Sequence, residues 1–142
     1  MIQQLSVLAM LGIFSLEDLK TKQIHTAWLA VFAAEGLAGA LFVWQRPVND
    51  IIAAMLPGIF ILIVSFAAHG AIGQGDGMIL IILGTFLQVS FLVGMLMTAV
   101  CFSAGYALFL FIIKKKNRKD EMPFIPFLLI AYAAEILLEK YY

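Results

Sequence analysis

An all-α integral membrane protein with six transmembrane helices and both termini outside is the fold class this sequence predicts, and three observations carry the prediction. The first is composition: of 142 residues, 63% are hydrophobic and 13% charged, with a mean hydropathy of +1.02. A soluble domain averages about 45–50% apolar and about 25% charged residues, and a chain this short keeps too much surface in water to hide the excess. The second is that the apolar residues gather in runs approaching the roughly 20 residues that a bilayer crossing needs. The third is the uneven placement of lysine and arginine, which orients those runs. A cytosolic enzyme, a disordered chain and a nucleic-acid-binding domain are excluded. Nine basic residues balance nine acidic ones, so no basic field draws nucleic acid.

The first span covers about residues 2–16. It resembles a signal peptide in length, but no Lys or Arg precedes it, lysines follow it, and an A-x-A-like cleavage signal is missing. It is therefore expected to be retained. The second span, about 24–45, ends at Arg46-Pro47, and the third, about 50–69, ends in a Gly-rich turn. Residues 78–113 form one apolar stretch of 36 residues. As a single helix it would reach about 54 Å against a hydrocarbon core of about 30 Å. It divides into two spans, about 78–91 and 94–113, with a tight turn near residues 88–94. The last span covers about 123–138, giving a single transmembrane domain over residues 1–142.

The positive-inside rule agrees with this count. Lys20 and Lys22 mark the loop after span one as cytoplasmic, and six spans bring the basic run at 114–119 to the same side. That run reads first as a topology anchor, with a contact for anionic lipid as the alternative. Cys101, the lone cysteine, lies in an apolar run and reads as a buried, unreactive thiol. No disulfide or cysteine-based zinc site can form from it.

This topology gathers two acidic residues on one face of the membrane: Asp18 at the cytoplasmic end of span one, and Asp76 in the turn between spans three and four. Asp76 stands in Gly73-Gln74-Gly75-Asp76-Gly77, whose glycines permit positive φ and close backbone approach. The segment lacks the Gly-Lys-Ser/Thr of a phosphate loop. Two carboxylates in a partly dry site cannot both ionise at close range and share a proton. One then takes a proton from water while the other hydrogen-bonds the carbonyl under attack.

With these residues in view, the chain resembles the type IV prepilin peptidases, membrane aspartic proteases with a GxGD motif. Three segments carry the likeness: Asp18-Leu19-Lys20-Thr21-Lys22-Gln23-Ile24, Gly73-Gln74-Gly75-Asp76, and Pro123-Phe124-Ile125-Pro126-Phe127. The resemblance implies a catalytic pair at Asp18 and Asp76, supported by Gly73, Gly75, Gly77, His25, Pro123, Phe124 and Pro126. It implies cleavage of prepilin or pilin-like leader peptides at the cytoplasmic face of a prokaryotic plasma membrane, with no cofactor and no metal. The partners implied are a substrate with a basic leader and membrane lipid. Larger relatives carry a cysteine-paired zinc domain and also N-methylate the product. This chain has neither the length nor the cysteines, so peptidase activity alone is expected.

Two positions depart from the family pattern. His25-Thr26 replaces Pro-Asn, and Met78 replaces a common lysine that would favour the ionised carboxylate. Two readings of His25 are open: a substitute cation, or an interfacial cap on span two. Glu35, deep in span two, is expected to find a polar partner such as Gln88 or Tyr106. Glu135 is expected at the outer interface, and His69 as a helix C-terminal cap. Two other functional classes are open: a small transporter relaying protons through Glu35, Asp76 and His69, and an inactive homologue acting as an assembly scaffold.

Overall fold

The computed structural model describes residues 1–21, 23–69, 73–113 and 123–141. Lys22 and the basic run at 114–119 lie outside the described residues. Among those described there are six α-helices: α1 (Ile2–Thr21), α2 (Thr26–Ala38), α3 (Val48–Ala67), α4 (Gln74–Phe86), α5 (Val89–Ile113) and α6 (Ile125–Tyr141). Four segments are long and apolar enough to cross a membrane: Ile2–Thr21, Thr26–Val43, Val48–Ala67 and Val89–Ile113. Helix α4, with 13 residues, and α6, with 17, fall short of that length.

Several boundaries differ from the sequence expectation. Helix α1 runs past Leu16 to Thr21, so Glu17, Asp18 and Lys20 are helical. The division of the long apolar stretch falls at Leu87-Gln88, and Gly94 lies inside α5. Gln88 accepts the amide of Leu92 and so starts the next helix. Helix α4 begins at Gln74 rather than Met78, because Gly75 and Gly77 fit inside a helix packed tightly against its neighbours.

Helix α4 is the axis of the bundle. Eight of its 13 residues are buried, among them Ile79, Leu80, Leu83 and Phe86. Helix α1 presents Val7, Met10, Leu11 and Phe14 to the core at helical spacing, and α6 adds Ile125, Leu128, Ala131 and Tyr132. Against α3 the contact is backbone to backbone. A Cβ at Gly84 would lie 2.6 Å from the Ala54 carbonyl oxygen, and one at Gly77 would lie 3.0 Å from the Leu62 amide nitrogen. Gly58 of α3 returns the contact against Ile81. Pro57, just before Gly58, removes one hydrogen bond from α3 at this contact.

Helix α2 ends in a π turn, Gly39–Val43, closed by the Trp44 amide on the Gly39 carbonyl at 2.8 Å. Trp44 folds back over Gly39, where a Cβ would lie 2.6 Å from its ring. Gln45 follows at φ 46°, and the chain turns so that Arg46 reaches the end of α4. Its guanidinium donates to the carbonyls of Gly84 (3.1 Å), Thr85 (2.9 Å) and Leu87 (3.0 Å). Gln3 donates to the Phe86 carbonyl beside them. The orphan carbonyls that end every helix are thus satisfied by side chains from two other segments. The outward faces are apolar, with Phe60, Ile63, Phe66, Phe109 and Phe111 all exposed. Cys101 is among the exposed residues of α5, not in the core as expected. Alpha5 buries only Leu92, Met95 and Ala99, and the thiol lies off that face.

Candidate active site

Asp18 lies in the last turn of α1, and Asp76 is the third residue of α4. The two helices run antiparallel, since Gln3 at the start of α1 meets Phe86 at the end of α4. Their other ends therefore bring the two aspartates to the same end of the bundle. Both residues are partly buried. Asp76 precedes the apolar run that begins at Met78. Its carboxyl is pushed up from 3.8 to about 7, chiefly by burial and then by the charge of Asp18. A helix N-terminus favours the ionised form by about 0.3–1 kcal/mol. A rise from 3.8 to about 7 corresponds to about 4 kcal/mol, so burial and the neighbouring charge outweigh the helix end.

The glycines around Asp76 serve the close approach expected from the sequence, without the positive φ expected beside it. Gly73 is the N-cap of α4 at φ −59°, and a Cβ there would lie 2.9 Å from an Asp76 carboxyl oxygen. The Asp76 side chain folds back over its own helix start, where only glycine leaves room. Gly75 faces Ile24 of the α1–α2 connection, and a Cβ there would collide with the Ile24 side chain. Gly77 faces the backbone of α3 at Leu62. The motif thus packs three ways: on the carboxylate, on the connection that follows Asp18, and on the neighbouring helix.

His25 is the N-cap residue of α2, but it caps through its backbone carbonyl alone, which accepts Trp28 at 3.2 Å. Its side chain turns to Glu17, a residue that the sequence reading overlooked. The Glu17 carboxylate accepts the His25 amide at 3.2 Å and lies 2.9 Å from Nδ1. A carboxylate only accepts, so Nδ1 carries the shared proton. Thr21 Oγ1 closes the turn within 3.0 Å of the Glu17 carbonyl and 3.1 Å of the Gln23 carbonyl.

Pro123, Phe124 and Pro126 shape the start of α6. The Phe124 carbonyl accepts Phe127 at 3.0 Å, and Phe124 packs on the core beside the buried Ile125. Met78 is exposed on α4. His69 follows the end of α3 at φ 52°, with its amide on the Phe66 carbonyl at 3.2 Å. That is a left-handed helix terminus.

Two carboxylates within apolar helices, Glu35 and Glu135, stand apart from the aspartates. Glu35 accepts a 2.5 Å hydrogen bond from Ser6, not from Gln88 or Tyr106. It opens on a cleft of about 750 Å³ lined by Gln3, Gly39, Phe42 and Trp44. This cleft adjoins the C-terminal end of α4, about 15 Å from Asp76 at 1.5 Å per residue. Glu135 is half-buried between α5 and α6 and accepts from Thr98 at 3.2 Å. Neither sequence spacing nor composition paired these groups. Among the described residues, no three His, Cys, Asp or Glu side chains converge on a metal-sized site.

A family model described as the type IV leader peptidase family matches residues 5–112. No curated protein and no solved structure matches the chain.

Proposed function

The chain belongs to the type IV leader peptidase family, and from that premise we propose that it is a membrane aspartic endopeptidase whose catalytic pair is Asp18 and Asp76. The observation that carries this reading is the coupling of two partly buried carboxyls at one end of the bundle. There burial, and after it the charge of Asp18, hold Asp76 protonated up to about 7.

The two roles follow from that asymmetry. Ionised Asp18 accepts a proton from a water molecule as its oxygen bonds to the scissile carbonyl carbon. Protonated Asp76 donates to the carbonyl oxygen as negative charge develops there. The C–N bond then breaks, and the departing amine takes the proton that Asp18 had accepted. Asp76 recovers its own proton as the carbonyl re-forms. A partly desolvated setting strengthens both interactions relative to water.

The substrate is a prepilin or pilin-like protein with a basic leader. The chain crosses the membrane six times with both termini outside, and the two aspartates face the cytoplasm. The part of α4 that follows Asp76 enters the membrane with its C-terminal carbonyls already satisfied by Arg46 and Gln3, which removes the cost of leaving them bare in an apolar medium.

The test is co-expression with a type IV prepilin, following the precursor's size. Asp18→Asn and Asp76→Asn each leave the precursor uncut, whereas Glu35→Gln, at the other end of α4, retains cleavage. Normal processing by either aspartate variant would overturn the assignment.

A further inference from the structure

We propose that Glu17 and His25 form a positioning clamp that seats Ile24 on Gly75 and thereby sets the separation of Asp18 and Asp76. The inference rests on the catalytic reading of the two aspartates, and it adds residues that reading does not use.

The chain of contacts is continuous. Glu17 is the immediate neighbour of Asp18 on α1. Its carboxylate holds both the amide (3.2 Å) and the ring (2.9 Å) of His25, the N-cap residue of the next helix. Between them, Thr21 ties the turn to the Glu17 carbonyl at 3.0 Å and accepts the Gln23 amide at 3.3 Å. Ile24 is thereby fixed one residue before the clamped His25, and it is the residue that meets Gly75. Gly75 in turn is covalently joined to Asp76. Each aspartate is thus one residue from a member of this contact chain.

Three features argue against a simple surface ion pair. Exposed pairs contribute about 0–1 kcal/mol because both side chains must be ordered from solvent. Here the His25 side chain is 69% exposed but that of Glu17 only 17%, so the ordering of the acceptor comes from packing. One acceptor also binds a backbone amide, which fixes the chain and not only a side chain. And the glycine that receives Ile24 has no room for a Cβ, so the seat is matched to its occupant. His25 and Thr26 stand where a rigid Pro-Asn pair is the family pattern. The clamp supplies by hydrogen bonding a restraint on the connection that a proline ring would supply covalently.

The geometry offers a substrate-free readout. A Cβ built on Gly75 lies 3.9 Å from the Ile24 Cβ, within the about 3.5–4.5 Å range of disulfides. In a Cys101→Ser background, Ile24→Cys with Gly75→Cys forms a disulfide on mild oxidation in native membranes, read as a gel shift reversed by reductant. Adding Glu17→Ala slows that oxidation by about tenfold, and Glu17→Gln, which still accepts the His25 amide, restores most of it. On the otherwise unaltered chain, Glu17→Ala lowers kcat for prepilin cleavage by about 10- to 100-fold with KM within about twofold, as a misplaced catalytic group does. If Glu17→Ala does not accumulate in the membrane, His25→Ala is measured in its place, with a smaller effect in the same direction.

A disulfide that fails to form with Glu17 intact, or forms equally fast without it, overturns the clamp. So does full kcat in Glu17→Ala. A chain that crosslinks as expected but cuts no prepilin keeps the clamp and overturns the peptidase reading instead.

Discussion

Protonation of Asp76 has a consequence for stability that can be measured without a substrate. In the unfolded chain this carboxyl titrates at its ordinary value, whereas burial and Asp18 raise it to about 7 in the folded protein. The folded state therefore binds the proton more tightly, and between those two values the protein loses stability as pH rises. Its contribution is fully present below about 3.8 and is gone once pH has passed about 7. The whole shift corresponds to about 4 kcal/mol at 1.36 kcal/mol per unit. The carboxyl is only partly buried, so solvent screening brings the expected loss between pH 5 and pH 8 to about 2 kcal/mol. Asp76→Asn removes the titration while keeping the shape of the side chain. Thermal unfolding of the purified protein, followed by tryptophan fluorescence at pH 5 and pH 8, is the assay. The unaltered protein should have the lower Tm at pH 8, and Asp76→Asn should remove most of the difference and be the more stable of the two at pH 8. An equal pH dependence in both proteins, or a Tm that rises with pH in the unaltered chain, would refute the reasoning.

Three other outcomes are expected. The cleavage rate should fall as pH rises past about 7, with the slope of a single proton, because Asp76 then loses the hydrogen it donates; a rate constant through pH 9 would contradict that role. Gly84→Ala should destabilise by about 1–3 kcal/mol through overpacking against Ala54, while Gly12→Ala, inside α1 with nothing within 4 Å, should stabilise by up to about 1 kcal/mol. Thermal unfolding compares the two. Arg46→Gln should cost about 1–3 kcal/mol, because two α4 carbonyls and that of its C-cap Leu87 lose a charged donor. Arg46→Lys should recover only part of it, since an ammonium lacks the two-armed reach; full rescue by lysine would count against the fork geometry.

The helical class and the division of the long apolar stretch were legible because both depend on residue type and run length. A stretch of 36 apolar residues exceeds a bilayer whatever surrounds it. The two candidate aspartates also stand in local patterns, GxGD and the motif around Asp18. Their immediate supports do not. Nothing in the spacing of Glu17 and His25 distinguishes a clamp from two solvated side chains, and Ser6 with Glu35 or Thr98 with Glu135 are joined only across helices. Helix α4 starts four residues before the expected span, because a glycine-rich segment reads as a turn in isolation. Packing against Ile24 and Leu62 makes those same glycines helical positions.

The sequence by itself determined that this chain is helical, apolar over most of its length, and equipped with two acidic residues in family-like settings. These are properties of composition and short-range order. Tertiary structure decided which ends of α1 and α4 meet, that each motif glycine is a gap for a different neighbour, and that Arg46 closes the far end of the helix that carries Asp76. Such relations depend on distances between residues as many as 83 positions apart, as Gln3 and Phe86 are. A linear pattern holds no record of those distances until the helices pack.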